Sequence, residues 1–380
     1  MKIVYATDIN ASNIHSWSGL GWYYRSMLEQ VYGDVTTIDK AQMPHPFFDK
    51  VKQRLFKTVR YKLYSPRFSI DVSKYYAKQI HALVPSGSVV LSPNTVILAY
   101  LKKDLKKVLF ADATFDSLFH LYPKYSEYTK QCLKEGEAID RQAVANADVL
   151  IYTSQWAANS AINHYGADPS KIAIVPFGAN LDHLPSAEDV SQSIQKRMHD
   201  KHTNLLFLGI DWIRKGGDYA LQVTQKLNAA GFPATLHIVG ATNVPENLDK
   251  TFVVNHGFIS KATPEGQQQL GILLAMSHFL LLPTLADCTP VACSEAAAFG
   301  VPCLTSDVGG LKSIITADVN GRTFSHTHFV EDVVGYMISL LQSKAAYSEL
   351  CFSSFHQYET TLNWKSVGER IVQLIQKVRV

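Results

Sequence analysis

Short apolar runs rich in β-branched and aromatic residues recur through the first half of the chain, at 3–6, 35–38, 89–91, 108–111, 149–152 and 172–175. Longer segments of helical period separate them, and that alternation predicts a parallel sheet covered by helices. A second series at 205–208, 236–239, 252–254, 279–282 and 303–305 predicts a second sheet of the same class. The polar, weakly periodic stretch 176–202 between them reads as a linker region. Near the end, segment 364–377 puts Val367, Ile371, Leu374 and Ile375 on one stripe of a helix. The fold class expected is α/β, with domains at 1–185 and 200–360 and a closing helical segment at 361–380.

Length agrees with that division, since 380 residues exceed one ordinary core and suit two, with a cleft between them. A composition of 47% hydrophobic and 18% charged residues excludes a disordered or fibrous chain. The first apolar run turns polar at Thr7 and the run at 279–283 is short, so neither a signal peptide nor a membrane span is expected. Five cysteines, at 132, 288, 293, 303 and 351, show no CxxC or His-paired spacing. They suggest a reducing cytoplasm and no zinc. The formal charge of +3 is modest for the length, so nucleic acid is not an expected partner.

In an open parallel sheet, ligands bind beyond the carboxyl ends of the strands, which directs attention to the following loops. After the run at 205–208, Gly209 leads through a short loop to Arg214, Lys215, Gly216 and Gly217 at the start of a helix. Cations are disfavoured at a helix N-terminus unless an anion compensates them, and this pair suits a diphosphate better than a merely solvated basic loop. After the run at 279–282, Thr289 is expected to cap a helix of about ten residues with Pro290 at its first position. Its first N–H groups would lie near Val291 and Ala292, and Gly300 and Pro302 would close it. Asp287 and Glu295 bracket that start. A carboxylate beside a sugar accepts hydrogen bonds from hydroxyls, and one farther along can grip a ribose diol. The blander readings are a dipole-favouring Asp287 and an exposed Glu295.

Four weaker signals lie in the first half. Gly19 and Gly21 precede a helical segment at 22–30, where they let backbone approach a ligand or simply make a turn. Asp112 follows a strand and either acts on substrate or caps the next turn. Ser154, also after a strand, reads equally as an N-cap. Segment 49–67 interleaves Lys50, Lys52, Arg54, Lys57, Arg60, Lys62 and Arg67 with Val51, Leu55, Val59 and Leu63. It reads first as a solvated helix face and alternatively as a contact for an anionic membrane or acceptor. No HExxH, GxSxG or Walker pattern occurs.

The Lys215-Gly216 motif, followed by an acid-x7-Glu motif at Asp287 and Glu295, resembles the retaining glycosyltransferase family 4, or glycosyltransferase group 1. The likeness extends to the glycine loop at Gly19, to YTSQWAANSA and IVPFGANLD, and to LNW at 362–364. The resemblance implies a GT-B fold of two facing Rossmann-like domains, acceptor side first and donor side second, with the last helix crossing back to the first. It further implies metal-free, retaining transfer from a nucleotide diphosphate sugar, as co-substrate rather than cofactor, to a glycan or lipid-linked acceptor. Lys215 and Arg214 would then neutralise the diphosphate, Glu295 would hold the ribose, Asp287 would contact the sugar and backbone near Ile259 would meet the base. Ile210 stands where such enzymes often carry Arg, Asp287 where they carry Glu, and Asp112 where they carry His. A sugar-nucleotide epimerase and a catalytically weakened nucleotide-sugar-binding subunit are the alternatives. A cytoplasmic location, peripheral at the inner membrane face through segment 49–67, completes the expectation.

Overall fold

The computed structural model describes residues 2–40, 47–59 and 62–377. The chain forms two units, Met1–Val175 with Gly368–Val380, and Pro176–Val367. In the first, strands β1 (Ile3–Ala6), β2 (Val35–Ile38), β3 (Val89–Ser92), β4 (Lys106–Ala111), β5 (Val149–Tyr152) and β6 (Ile172–Ile174) form one sheet in the order β2-β1-β3-β4-β5-β6. In the second, β7 (Thr203–Leu208), β8 (Ala234–Val239), β9 (Val253–Asn255), β10 (Phe279–Leu282), β11 (Cys303–Ser306) and β12 (Gly321–Phe324) run β12-β11-β10-β7-β8-β9. Every pairing is parallel, and β10 is buried along its whole length, as a strand covered on both faces must be.

Eleven of these strands fall on the apolar runs of the sequence. The exception is β12, whose GRTF has no apolar run to announce it. It pairs with β11 at the sheet edge, where backbone hydrogen bonds suffice without two buried faces. The stretch 176–202 contains a helix, Ala187–His199, that belongs to the second unit. Ser186 and Asp189 form its capping box, and Val190 and Ile194 are buried on one side. Its buried Arg197 donates to the carbonyls of Ser277 (2.6 Å), Phe299 (3.2 Å) and Gly300 (2.9 Å). The polar composition of this stretch concealed a helix whose anchor is a cation, its two terminal nitrogens donating to backbone acceptors while Nε is buried without a hydrogen-bond partner.

The helix Trp364–Lys377 rejoins the first unit at Gly368, where a Cβ would come 2.7 Å from Val31 and 3.1 Å from Met27, both on the helix Leu20–Tyr32. Val367, Ile371 and Ile375 are buried and Leu374 half-buried, so the predicted stripe is the packed face. The LNW and PFGANLD motifs meet just before this return. Trp364 Nε1 donates to Asn180 Oδ1 at 2.9 Å, and a Cβ on Gly178 would press on the Trp364 backbone at 2.5 Å.

At the amino-terminal end of β10, burial and the neighbouring Arg197 lower His278 to about 4. Its Nδ1 accepts from the Asn204 N–H (3.1 Å) and its Nε2 donates to the Arg197 carbonyl (3.1 Å), a pairing only the neutral ring can make. The unfolded chain therefore binds a proton that the folded one refuses between pH 6.5 and about 4, and stability falls as pH falls through that window. The expected loss is about 2–3 kcal/mol by its lower end. Urea titrations at pH 7 and pH 5 check it, with His278→Gln showing the shallower pH dependence. Equal slopes in both proteins would count against this origin.

Candidate functional site

In the second sheet the strand order reverses between β7 and β10, which are hydrogen-bonded neighbours. The loops leaving these two strands lie at the carboxyl ends where a doubly wound sheet binds its ligands. The first loop carries Arg214 and Lys215, the second Asp287. Each is built for close approach. At Gly209 a Cβ would come within 2.9 Å of the Lys215 side chain, so the glycine lets that side chain cross the strand end. Gly216 has φ +75° and a Cβ there would collide with the Pro283 carbonyl, while one on Gly217 would enter the ring of buried Trp212. Only glycine tolerates both the left-handed backbone and the crowding. Trp212 is held by Nε1 donating to Asp218 at 2.9 Å, and the helix Gly217–Ala229 follows.

The two loops are stitched together. Leu285 N–H donates to the Arg214 carbonyl (2.7 Å), and Arg214 Nη1 donates to the Ala286 carbonyl (2.7 Å). Lys215 Nζ forms an ion pair with Asp287 Oδ2, to which Arg214 Nη1 also lies at 3.7 Å. The Lys215 and Asp287 side chains are 10% and 12% exposed, so these charges interact at reduced dielectric, while Arg214 at 32% keeps a side open to solvent. Two cations converge on one carboxylate oxygen. Such a cluster can take an additional anion with little rearrangement, Asp287 sharing its cations with the incoming group.

The helix after Asp287 differs from the expectation. It spans Val291–Ala297, seven residues rather than about ten, and its N-cap is Pro290, not Thr289. Pro290 has an extended ψ of 122°, which delays the first helical residue to Val291. Thr289 is buried in the preceding loop, and Ala292 is buried in the first turn. So short a helix leaves the anion-binding argument with the two cations. It does fix Glu295, whose side chain is 1% exposed, and therefore excludes the reading of an exposed surface acid. Ser294 Oγ donates to the Phe177 carbonyl at 2.9 Å, tying this helix to the PFGANLD motif.

Glu295 has a partner that sequence reasoning missed: it forms an ion pair with Lys261 Nζ. Lys261 lies in the loop between β9 and the helix Pro264–Met276, two residues after Ile259, which is buried beside the strongly exposed Phe258. The run FISK offered a cation in a loop already singled out for a ligand's base, but nothing in a spacing of 34 residues announces the pairing.

The remaining candidates belong to the first unit. Gly19 adopts φ +85° as N-cap of the helix Leu20–Tyr32, where a Cβ would come 3.2 Å from the Ile14 carbonyl, and Gly21 lies inside that helix against Ile9. Asp112 is half-buried beyond the end of β4. It does not cap the next helix, Phe115–Leu121, because Thr114 does so in a capping box with Ser117. Together with burial and Tyr5, Asp112 helps push the Tyr24 phenol upward. Ser154 is an N-cap, accepting from Ala157 N–H at 3.2 Å. Among the described residues no group of three or more His, Cys, Asp or Glu side chains is placed to hold a metal ion, and no helix is long and apolar enough to cross a membrane.

Residues 202–343 match the family Glycosyl transferases group 1. Among curated proteins, the D-inositol 3-phosphate glycosyltransferase of Corynebacterium aurimucosum is 26% identical over 214 residues, 53% of this chain and 50% of that protein. The chain thus spans about half the length of such relatives. Among solved structures, sucrose-phosphate synthase from Thermosynechococcus elongatus aligns over 100% of this chain and 99% of its own with a TM-score of 0.69 and 13% identity. Anabaena HepE, in complex with UDP and glucose, aligns over 99% and 100% with a TM-score of 0.64 and 11% identity. The chain therefore resembles the glycosyl transferases group 1 family, glycosyltransferase family 4, most directly over residues 202–343, and has the GT-B fold.

Proposed function

We propose that this chain is a retaining, metal-independent glycosyltransferase that moves a hexose from a nucleotide diphosphate sugar to a glycan, lipid-linked or small-molecule acceptor. The observation that carries the reading is the convergence of Lys215 and Arg214 on Asp287 at the point where the second sheet reverses its strand order. Relatives bearing glycosyltransferase names and a neighbour that holds UDP and glucose support the same choice of donor.

In this mechanism the bond between the sugar's anomeric carbon and the diphosphate oxygen breaks, and negative charge grows on the departing phosphate. Lys215 and Arg214 stabilise that charge from fixed positions, which is the largest electrostatic task of the reaction. Asp287 accepts hydrogen bonds from the transferred sugar, and Glu295 does so from the ribose hydroxyls. Backbone near Ile259 meets the base. The acceptor hydroxyl attacks from the face the diphosphate leaves, and its proton passes to the departing phosphate oxygen. In the first unit, Gly19 and Asp112 are the residues assigned to the reaction.

Thermal-shift screening of nucleoside diphosphates and their sugars tests the donor half, because a ligand that binds only the folded protein raises its melting temperature. One base should stabilise both as the free diphosphate and as its sugar, and an acceptor should then release the diphosphate stoichiometrically with the glycoside. Stabilisation by no nucleotide would sink the reading, as would conversion of the donor to an epimer without transfer.

A further inference from the structure

The helix Phe47–Val59 in the first unit has, among its described residues, large apolar side chains that are exposed. Val51 and Leu55, one helical turn apart, are 49% and 57% exposed. The helix is attached from another side, where the Phe56 ring stacks on that of buried Tyr64 at 5.9 Å between centroids. Lys50, Arg54 and Lys57 are exposed and follow each other at spacings of four and three, in a row beside the Val51–Leu55 row. The sequence from Lys50 to Ile70 contains no Asp or Glu, whereas a merely solvated helix face normally mixes both signs. An apolar strip bordered by cations, on a helix attached through another side, has the shape of an in-plane membrane helix.

We propose that this helix docks the chain onto an anionic lipid bilayer surface, with Val51 and Leu55 entering the headgroup boundary and Lys50, Arg54 and Lys57 meeting lipid phosphates. Long cationic side chains can lay their methylene stems on the apolar side while their heads stay in the polar layer. Charge complementarity selects this occupant. A second copy of the chain would oppose its own cations at the contact, and a soluble anionic acceptor would leave Val51 and Leu55 in water. The assignment stands apart from the transferase reading, because it concerns a surface and not the reaction.

Co-sedimentation of the full chain with vesicles tests it. The wild type should pellet with phosphatidylcholine vesicles containing phosphatidylglycerol and stay in solution with phosphatidylcholine alone. Replacing Lys50, Arg54 and Lys57 together by Gln should weaken partitioning roughly a hundredfold. Val51→Gln with Leu55→Gln, which keeps every charge, should weaken it about tenfold. All substitutions are at exposed positions, so circular dichroism should report an unchanged fold. The inference is overturned if the wild type ignores anionic vesicles or if either variant binds like wild type. Self-association without lipid that the Leu55→Gln change abolishes would equally overturn it, since the strip would then be an interface between copies.

Discussion

Lys215→Ala is expected to lower transfer by about a hundredfold to a thousandfold while the chain remains folded. The factor is that of removing one fixed charge-stabilising donor from a leaving group in a partly desolvated site. The substitution also strands Asp287, whose side chain is 12% exposed, but Arg214 at 3.7 Å is near enough to take over part of the pairing. Breaking a buried ion pair outright costs about 3–5 kcal/mol, so with that compensation a stability loss of about 2 kcal/mol is expected. Asp287→Asn separates the two roles. It frees both cations for an anion, so melting-temperature stabilisation by a nucleoside diphosphate should persist or grow even as transfer falls through loss of the sugar contact. Lys215→Ala should abolish that stabilisation. Measuring both variants with nucleoside diphosphate alone, by thermal shift, and with donor and acceptor, by product release, decides the matter. Equal nucleotide stabilisation in Lys215→Ala and wild type would mean that the diphosphate lies elsewhere.

How much of this was legible in the sequence follows from the range of the interactions involved. Eleven of the twelve described strands carry apolar or β-branched runs and were visible, the edge strands β2, β6 and β9 among them; only Gly321–Phe324, whose GRTF has no such run, was not. The Lys215 loop was visible too, because its glycines are demanded by local crowding against Pro283 and Trp212. What could not be read was the partner of a charge. Arg197 looks like part of a polar linker until its three carbonyl acceptors, 80 to 103 residues away, are in place. The helix that carries Glu295 was misjudged for a smaller reason: Thr-Pro is a good start signal, but Pro290 kept an extended ψ and moved the cap one residue on. The cationic face at Lys50–Lys57 was readable as a pattern, yet whether its apolar strip packed inward or outward depended on Phe56 finding Tyr64.

Glu295 and Lys261 should respond to substitution in opposite ways, which distinguishes a ligand-binding carboxylate from a structural ion pair. Glu295→Gln keeps the shape of the side chain and removes its charge. Its former partner Lys261 is 22% exposed and sits in a loop, so its ammonium can turn to water, and the stability cost should be only about 1 kcal/mol. Lys261→Met leaves a carboxylate that is 1% exposed without its counter-charge, a change that should cost about 3–5 kcal/mol. Function should rank the other way. If Glu295 accepts hydrogen bonds from two ribose hydroxyls, each worth about 1.5–3 kcal/mol to a charged acceptor, Glu295→Gln should raise the donor KM about a hundredfold or more. Lys261→Met, assayed at a temperature where it is folded, should change that KM much less, because the carboxylate remains to meet the ribose. Urea unfolding of both variants and donor titrations at saturating acceptor give the two rankings. Should Glu295→Gln prove the more destabilising and leave the donor KM near wild type, the carboxylate is there to hold the loop containing Lys261, and the ribose must be gripped by another group.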